Sequence, residues 1–284
     1  MTFAATSFGI MAFTAKIASR RLTGPEVAFV RMAIGLLPCI VIPRYRRAAL
    51  HFHRLDLILY RGFFGGVAVM LYFLAIEHTS AGIATLLNYT APIWSGTFSL
   101  LFIGERISPR VLIPLPVALT GIYLVAHGSS FGMSIWIVVG LVSAVASGAA
   151  VTAIRAARRA ENSWSVYASF CFFGMLVNLP LSIRSWRTPA GSEWIALVLT
   201  AAFAMCAQLL MTFSLRWVDA MTVGVISQLA VLVSMALGAV FLHEMITGTA
   251  AIGSIMTIAG VLGVTYITSL DRREVAADEM VPEA

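Results

Sequence analysis

Long apolar stretches run along nearly the whole chain, cut at intervals by arginines, prolines and small polar clusters. Ten can be marked, at about 3–19, 27–43, 57–76, 80–103, 109–127, 134–154, 165–183, 193–214, 220–242 and 247–269. Each holds 17 to 24 residues, near the roughly 20 apolar residues that carry a helix across a bilayer. Barrel strands need only about 9–11 residues and alternate apolar with polar positions, which these runs do not. The pattern predicts an all-α membrane protein with ten transmembrane helices. The first run is read as a retained span, because no basic segment precedes it and no small-residue cleavage site follows.

Composition agrees with this reading. Of 284 residues, 60% are hydrophobic and 11% charged, and the mean hydropathy is +0.91. Soluble domains are about 45–50% apolar and about 25% charged, so a water-soluble enzyme and a nucleic-acid-binding domain are both excluded. Net charge is +6 and rests on arginine, with Lys16 the one lysine. In a membrane chain such charge reports orientation. With the N-terminus inside, the inner connections hold twelve arginines, among them Arg44, Arg46, Arg47 and Arg54, and the outer ones hold four, Arg20, Arg21, Arg184 and Arg187. That bias predicts a multi-pass protein of the cytoplasmic (inner) membrane with both termini in the cytoplasm. The tail at 271–284, with Glu274, Asp278, Glu279 and Glu283, reads as a disordered acidic cytoplasmic segment.

Cys39, Cys171 and Cys206 stand alone in apolar runs, without CxxC spacing, and read as buried small hydrophobes. His51 and His53 lack further ligands nearby, so no metal site follows from them. There is no HExxH, P-loop or Ser/His/Asp pattern. No cofactor or catalytic residue is expected.

The chain also carries an internal repeat. When Glu105 of Gly104–Ser108 (GERIS) is aligned with Glu244 of His243–Thr247 (HEMIT), an offset of 139, Phe102 meets Phe241, Ile107 meets Ile246, Gly121 meets Gly260, Val125 meets Val264 and Ala81 meets Ala220. An odd five spans per half turns the second half upside down in the membrane. Residues 1–130 and 131–270 are thus expected to be inverted five-helix repeats, a construction typical of secondary transporters, with the site near the midplane between them.

At the same offset, Thr85, Asn88, Pro92, Ser95 and Ser99 occupy one face of the fourth span, and Gly224, Ser227, Val231, Ser234 and Gly238 take the matching places on the ninth. Two readings are open. The stripes are close helix packing, for which small residues are the usual means, or they form a polar path facing the pseudo-symmetry axis. Pro92 removes a mid-span hydrogen bond to the Asn88 carbonyl, and loose backbone at that depth is tolerated beside a cavity. Tyr89, Trp94 and Gln228 lie beside the stripes. The path reading has Asn88, Tyr89, Ser95, Ser227 and Gln228 on a cavity wall and Trp94 at its edge, with Pro92 and Ser234 on the same route. Asn178 and Gln208 are isolated polar residues in spans seven and eight. The small-residue faces Gly62-x-x-x-Gly66 and Gly140, Ala144, Gly148 read as packing within the monomer.

Three basic residues lie inside spans, Lys16, Arg31 and Arg61, and no acidic residue lies mid-span. Intramembrane charges are functional candidates. All three also sit within about two turns of a span end, from which snorkelling would free them. Lys16 and Arg31 fall toward the outer face, with Glu26 or Glu77 as partners, and Arg61 toward the inner face, near Asp56. A buried carboxylate proton relay has no candidate.

These features together resemble the drug/metabolite transporter superfamily, EamA type. The resemblance is carried by Lys16, by Glu26 followed by Arg31, by Arg61-Gly62, by Thr90-Ala91-Pro92 and by the paired turns, and it runs from about Phe8 to Thr268. It departs at His243, where glycine is usual. The resemblance implies a secondary transporter that moves a small polar or amphipathic metabolite by alternating access, with lipid bilayer and small-molecule substrate as its partners. The alternative is a non-transporting membrane receptor or scaffold, which has no need of symmetry across the midplane.

Overall fold

A computed structural model describes residues 1–50, 53–103, 109–128, 134–157, 162–214 and 226–278. The described residues are helical, with no strand among them. In chain order the helices are α1 (Thr2–Ala18), α2 (Gly24–Val41), α3 (Pro43–Ala49), α4 (Leu55–His78), α5 (Ala81–Asn88), α6 (Ala91–Ile103), α7 (Pro114–Gly128), α8 (Ile135–Ala157), α9 (Ser163–Arg184), α10 (Gly191–Ser214), α11 (Leu229–Leu242) and α12 (Gly248–Asp278). A 3₁₀ turn, Pro109–Leu112, precedes α7. Residues 104–108, Ala220, Gly224 and the side chain of Ser99 lie outside the described residues.

Among the described residues, seven helices, rather than ten, are long and apolar enough to cross a membrane. The other three apolar runs fall short for identifiable reasons. α1 has 17 residues and α11 has 14, and the fourth run is split at Tyr89–Thr90 into α5 and α6. Side chains such as Phe63, Ile195, Val240 and Ile255 point outward from the bundle. A shell of that kind belongs in lipid, since water-soluble proteins keep contiguous apolar patches small.

Two other expectations change. The connection after the second run holds a helix, α3, started by Pro43, whose fixed φ suits a first helical turn. The tail beyond 270 is helical as far as Asp278, not disordered from Asp271, because α12 runs on without a break.

Glycines set the closest helix contacts. A Cβ on Gly66 would lie 3.0 Å from the Gly174 Cα of α9, and one on Gly62 would strike Phe173. Gly140 faces Leu87 of α5 and Gly148 faces Trp94 of α6, so both small-residue faces pack within the monomer. Elsewhere α7 lies along α12, α4 between α8 and α9, and α1 between α10 and α11.

Helix ends at one pole of the bundle are tied by the charges that the sequence puts there. Lys16 Nζ donates to the carbonyls of Ile76 at 2.8 Å and Glu77 at 3.0 Å, and also to that of Thr79. Its ammonium thus caps the C-terminus of α4, where a cation suits the helix dipole. Carboxylates sit at N-termini. Glu77 Oε2 accepts from the Gly24 amide at 2.6 Å, and Glu244 Oε1 accepts from the Ala81 amide at 3.3 Å. Glu26 is fully buried and accepts from the amides of Thr23 and Arg187. At the far end of α4, Asp56 pairs with the adjacent Arg54 at 2.7 Å, both exposed.

Candidate functional site

A cavity of about 210 Å³ lies inside the bundle. Its wall takes Arg31 from α2, Arg61 and Tyr72 from α4, Asn88 from the end of α5, Ser147 from α8, Phe170 from α9, Gln208 from α10 and Thr265 from α12. Both halves of the chain therefore build it. Most of the remaining wall is apolar, with Phe8, Met11, Val69 and Ile154 among its residues.

Interrupted helices bring main-chain polar groups to this depth. The turn at Tyr89–Thr90 separates α5 from α6, and a turn at Gln228 separates Ile226–Ser227 from α11. The two breaks are one repeat offset apart. Gln228 Nε2 donates to the Tyr89 carbonyl at 3.4 Å, which joins them directly. Asn88 Nδ2 donates to Ser143 and Ser147, each at 3.0 Å, and Tyr72 and Thr85 share a hydroxyl contact of 2.8 Å. Broken backbone in a membrane survives only where protein or water satisfies it.

The stripe residues divide. Asn88, Tyr89, Pro92 and Ser227 line the cavity. The sequence reading also puts Ser95, Gln228, Ser234 and Trp94 on or beside the route, but the structure does not place them on the wall. Ser95 is buried against Thr152 of α8, with the oxygens 3.3 Å apart. Ser234 bonds back to the Val231 carbonyl within α11, Gln228 uses its amide on Tyr89, and Trp94 packs on Gly148. Among the described stripe residues past the helix breaks, Pro92 stays on the wall, while Ser95 and Ser234 are buried in contacts within and between helices.

The charges differ more from expectation. Lys16 is not on the wall; it is the α4 cap. Arg31 and Arg61 are not held at opposite faces but lie together, 4% and 5% exposed, so neither reaches an interface. The start of α2 packs beside the end of α4, so the two helices run in opposite directions. Each arginine lies about 10 Å along its helix from that helix's start. In a core about 30 Å thick, two long side chains span the interval between them. The Arg61 guanidinium lies 4.2 Å from the Phe170 ring centre, and that of Arg31 lies 5.7 Å from the same ring and 5.6 Å from Phe73. A Cβ on Gly65 would collide with Arg61 Nη1, so the missing side chain is what seats that guanidinium.

Neither cation has a carboxylate partner among the described residues. Glu26, Glu77 and Asp56 are engaged elsewhere, and Arg61 Nε is buried without any hydrogen-bond partner. Through their shared ring the two guanidinium carbons are at most about 10 Å apart. At an effective dielectric of about 20, charges at that distance repel by about 1.7 kcal/mol.

Sequence reasoning missed Tyr72, Ser143, Ser147 and Phe170. Ser143 and Ser147 stand four apart on one face of α8 and were detectable as a polar stripe. Phe170 carries no signal among so many apolar neighbours. No group of three or more His, Cys, Asp or Glu side chains suited to a metal occurs among the described residues.

A multi-helix membrane bundle with an internal cavity built by both halves of the chain defines the class, a polytopic membrane protein with a site for a small molecule. The chain belongs to the EamA-like transporter family, whose profile matches residues 1–127 and again 134–266. It is similar to the pseudopaline exporter CntI of Pseudomonas aeruginosa, with 28% identity over 264 residues, 92% of this chain and 93% of that one. A protein of Archaeoglobus fulgidus named only as a transporter shares 27% over 199 residues, 70% of this chain and 72% of its own. A solved crystal structure has the same fold, with a TM-score of 0.63 at 22% identity over 96% of this chain and 98% of the other.

Proposed function

We propose that the protein is a secondary transporter that moves a small polar or amphipathic metabolite across the cytoplasmic membrane by alternating access between two inverted five-helix repeats, 1–130 and 131–270. The observation that carries this reading is the pair of helix breaks at Tyr89–Thr90 and Gln228, one offset apart and joined at the cavity. Discontinuous helices at the interface of inverted repeats are where such carriers bind their cargo.

Helix packing supports the repeat. Shifting each helix to its counterpart turns α1 against α10 into α8 against α4, and α2 against α10 into α9 against α4, and all four contacts occur. α2 with α9, α5 with α11 and α7 with α12 pair across the axis. With both termini cytoplasmic, as the arginine bias favours, the conformation is inward-facing. Met1 and Ala4 border the cavity, while Lys16, Glu77 and Glu244 tie the opposite pole. The name of the Pseudomonas relative supports outward movement of cargo.

Single cysteines at Asn88 and Ser227, with Cys39, Cys171 and Cys206 replaced by serine, test this. A membrane-impermeant thiol reagent should label both positions from the cytoplasmic side of inverted vesicles and, in a fraction of molecules, from the outside of cells. Failure to label from either side would leave the bundle a closed scaffold.

A further inference from the structure

Two arginines share one aromatic ring inside a membrane bundle, and no acidic group of the described protein answers them. Buried charges are retained when they are paired and hydrogen-bonded. Here the pairing is missing from the side of the protein. The cavity wall includes both guanidinium side chains and no Asp or Glu. Each arginine is held by packing alone, Arg61 between Phe170 and the bare backbone of Gly65 and Arg31 between Phe170 and Phe73. That arrangement fixes the planar heads and leaves their N–H donors unspent, as the unpartnered Arg61 Nε shows directly. A guanidinium fork fits a carboxylate or phosphate with two parallel hydrogen bonds.

We infer that Arg31 and Arg61 form an anion clamp, and that the cargo is a small organic acid carrying carboxylate or phosphate groups, bound with its anionic end between the two guanidinium groups. The inference rests on the transporter reading and narrows it to a substrate class. Two charges of one sign ask for a dianion before a monoanion. The apolar remainder of the wall, Phe8, Met11, Val69 and Ile154 among it, accommodates a carbon skeleton better than a bare inorganic ion. Lys16 takes no part, since its three donors are spent on the end of α4.

The test is thermal unfolding of the full-length protein in nanodiscs of neutral phosphatidylcholine, with succinate, glutarate, phosphoglycolate, inorganic phosphate or acetate added, and with succinamide and glutaramide as uncharged counterparts. The dianionic organic acids should raise the Tm, acetate less, and the diamides not at all. Arg31→Gln with Arg61→Gln should abolish the shift and leave the ligand-free Tm equal to or above that of the wild type, since removing unpaired like charges removes repulsion. Arg61→Lys should keep part of the response. Equal shifts by acids and diamides, or by acids on wild type and double variant, would overturn the clamp. So would a large fall in the ligand-free Tm of the double variant, which would make the arginines structural. A further arm in phosphatidylglycerol discs separates the sources of the anion. If that lipid alone restores what the acids do not, the clamp holds a headgroup and no cargo. Labelling at Asn88 and Ser227 is independent of all these outcomes, so a cavity that opens without binding acids would sink the clamp and leave the transporter reading standing.

Discussion

Gln228 donates its side-chain amide to the main-chain carbonyl of Tyr89 across the centre of the bundle, at 3.4 Å, and the two residues lie 139 positions apart in sequence. They are counterparts in the two halves, so the contact joins the repeat to itself at the point where both helices break. The Tyr89 carbonyl needs this partner because a turn follows it.

Gln228→Ala should therefore destabilise the protein by about 1 kcal/mol, the usual net worth of a buried hydrogen bond. Tyr89→Phe should not have this effect, because the bond uses the backbone of Tyr89. Thermal unfolding in detergent, compared across the two variants, checks the assignment. Equal losses would place the stabilisation in the tyrosine hydroxyl.

Lys16 supports a prediction of the opposite kind. Its ammonium holds three carbonyls at the end of α4, and hydrogen bonds from a charged donor contribute about 1.5–3 kcal/mol each. Lys16→Met should cost about 2 kcal/mol or more and lower the Tm, while the response to organic acids at saturating concentration stays that of the wild type. A variant of unchanged Tm and weakened acid response would return Lys16 to the substrate route.

Much of this fold is legible in the sequence, because apolar run length and arginine placement are one-dimensional signals. The helix breaks are half legible. Pro92 marks the first, but no proline or glycine adjoins Gln228, and that turn follows from symmetry alone. The site is less legible still. Whether Ser95 or Asn88 meets a cavity depends on how far α8 approaches, and Gly148 brings it close at Ser95, where a Cβ would lie 2.8 Å from the Ser95 amide nitrogen. Arg31 and Arg61 each lie near the start of their own helix, and because α2 and α4 run in opposite directions those starts fall toward opposite faces. Only the length and reach of their side chains bring them together, and hydrophobic periodicity does not record reach.

Glu244 makes stability depend on pH. It sits in the turn after α11, half-buried, and desolvation raises its pKa above the ordinary 4.5, with the Ala81 amide, Lys16 and Arg20 opposing the rise. A carboxyl with a raised folded-state pKa binds its proton more tightly in the folded protein. Its contribution is greatest at or below about 4.5 and declines as pH rises through the raised value. Relative to Glu244→Gln, the wild-type Tm should fall over that interval and run parallel above it. Parallel curves throughout would mean that the carboxyl is not desolvated.

His243 is the one non-glycine residue with positive φ among the described residues, at 53°. It ends α11, and the Glu244 amide closes back onto the Gly238 carbonyl at 3.1 Å. A left-handed L-residue carries a penalty of roughly 1–2 kcal/mol that glycine escapes, partly offset by the greater freedom of glycine when unfolded. His243→Gly should raise stability by about 1 kcal/mol, and His243→Ala should not. Chemical unfolding at one fixed pH separates this backbone effect from the titration of Glu244.

Gly65 gives the most selective test of the clamp. It lies one turn beyond Arg61 on α4, and a Cβ there would occupy the position of Arg61 Nη1 and come within 2.9 Å of the Phe170 ring. Alanine is favoured over glycine in a helix interior by about 1 kcal/mol, so Gly65→Ala strengthens α4 locally while displacing the guanidinium from its seat. The two effects separate in measurement. Ligand-free stability should stay within about 1 kcal/mol of the wild type, and the affinity for a dicarboxylate should fall at least about tenfold, equivalent to 1.4 kcal/mol of binding. Arg61→Gln should lower affinity to a similar degree, and adding Gly65→Ala to it should lower affinity no further, because the group that the methyl displaces is already gone. Additive losses in the double variant would mean that Gly65 contacts cargo directly and that the guanidinium seat is not what binds the acid.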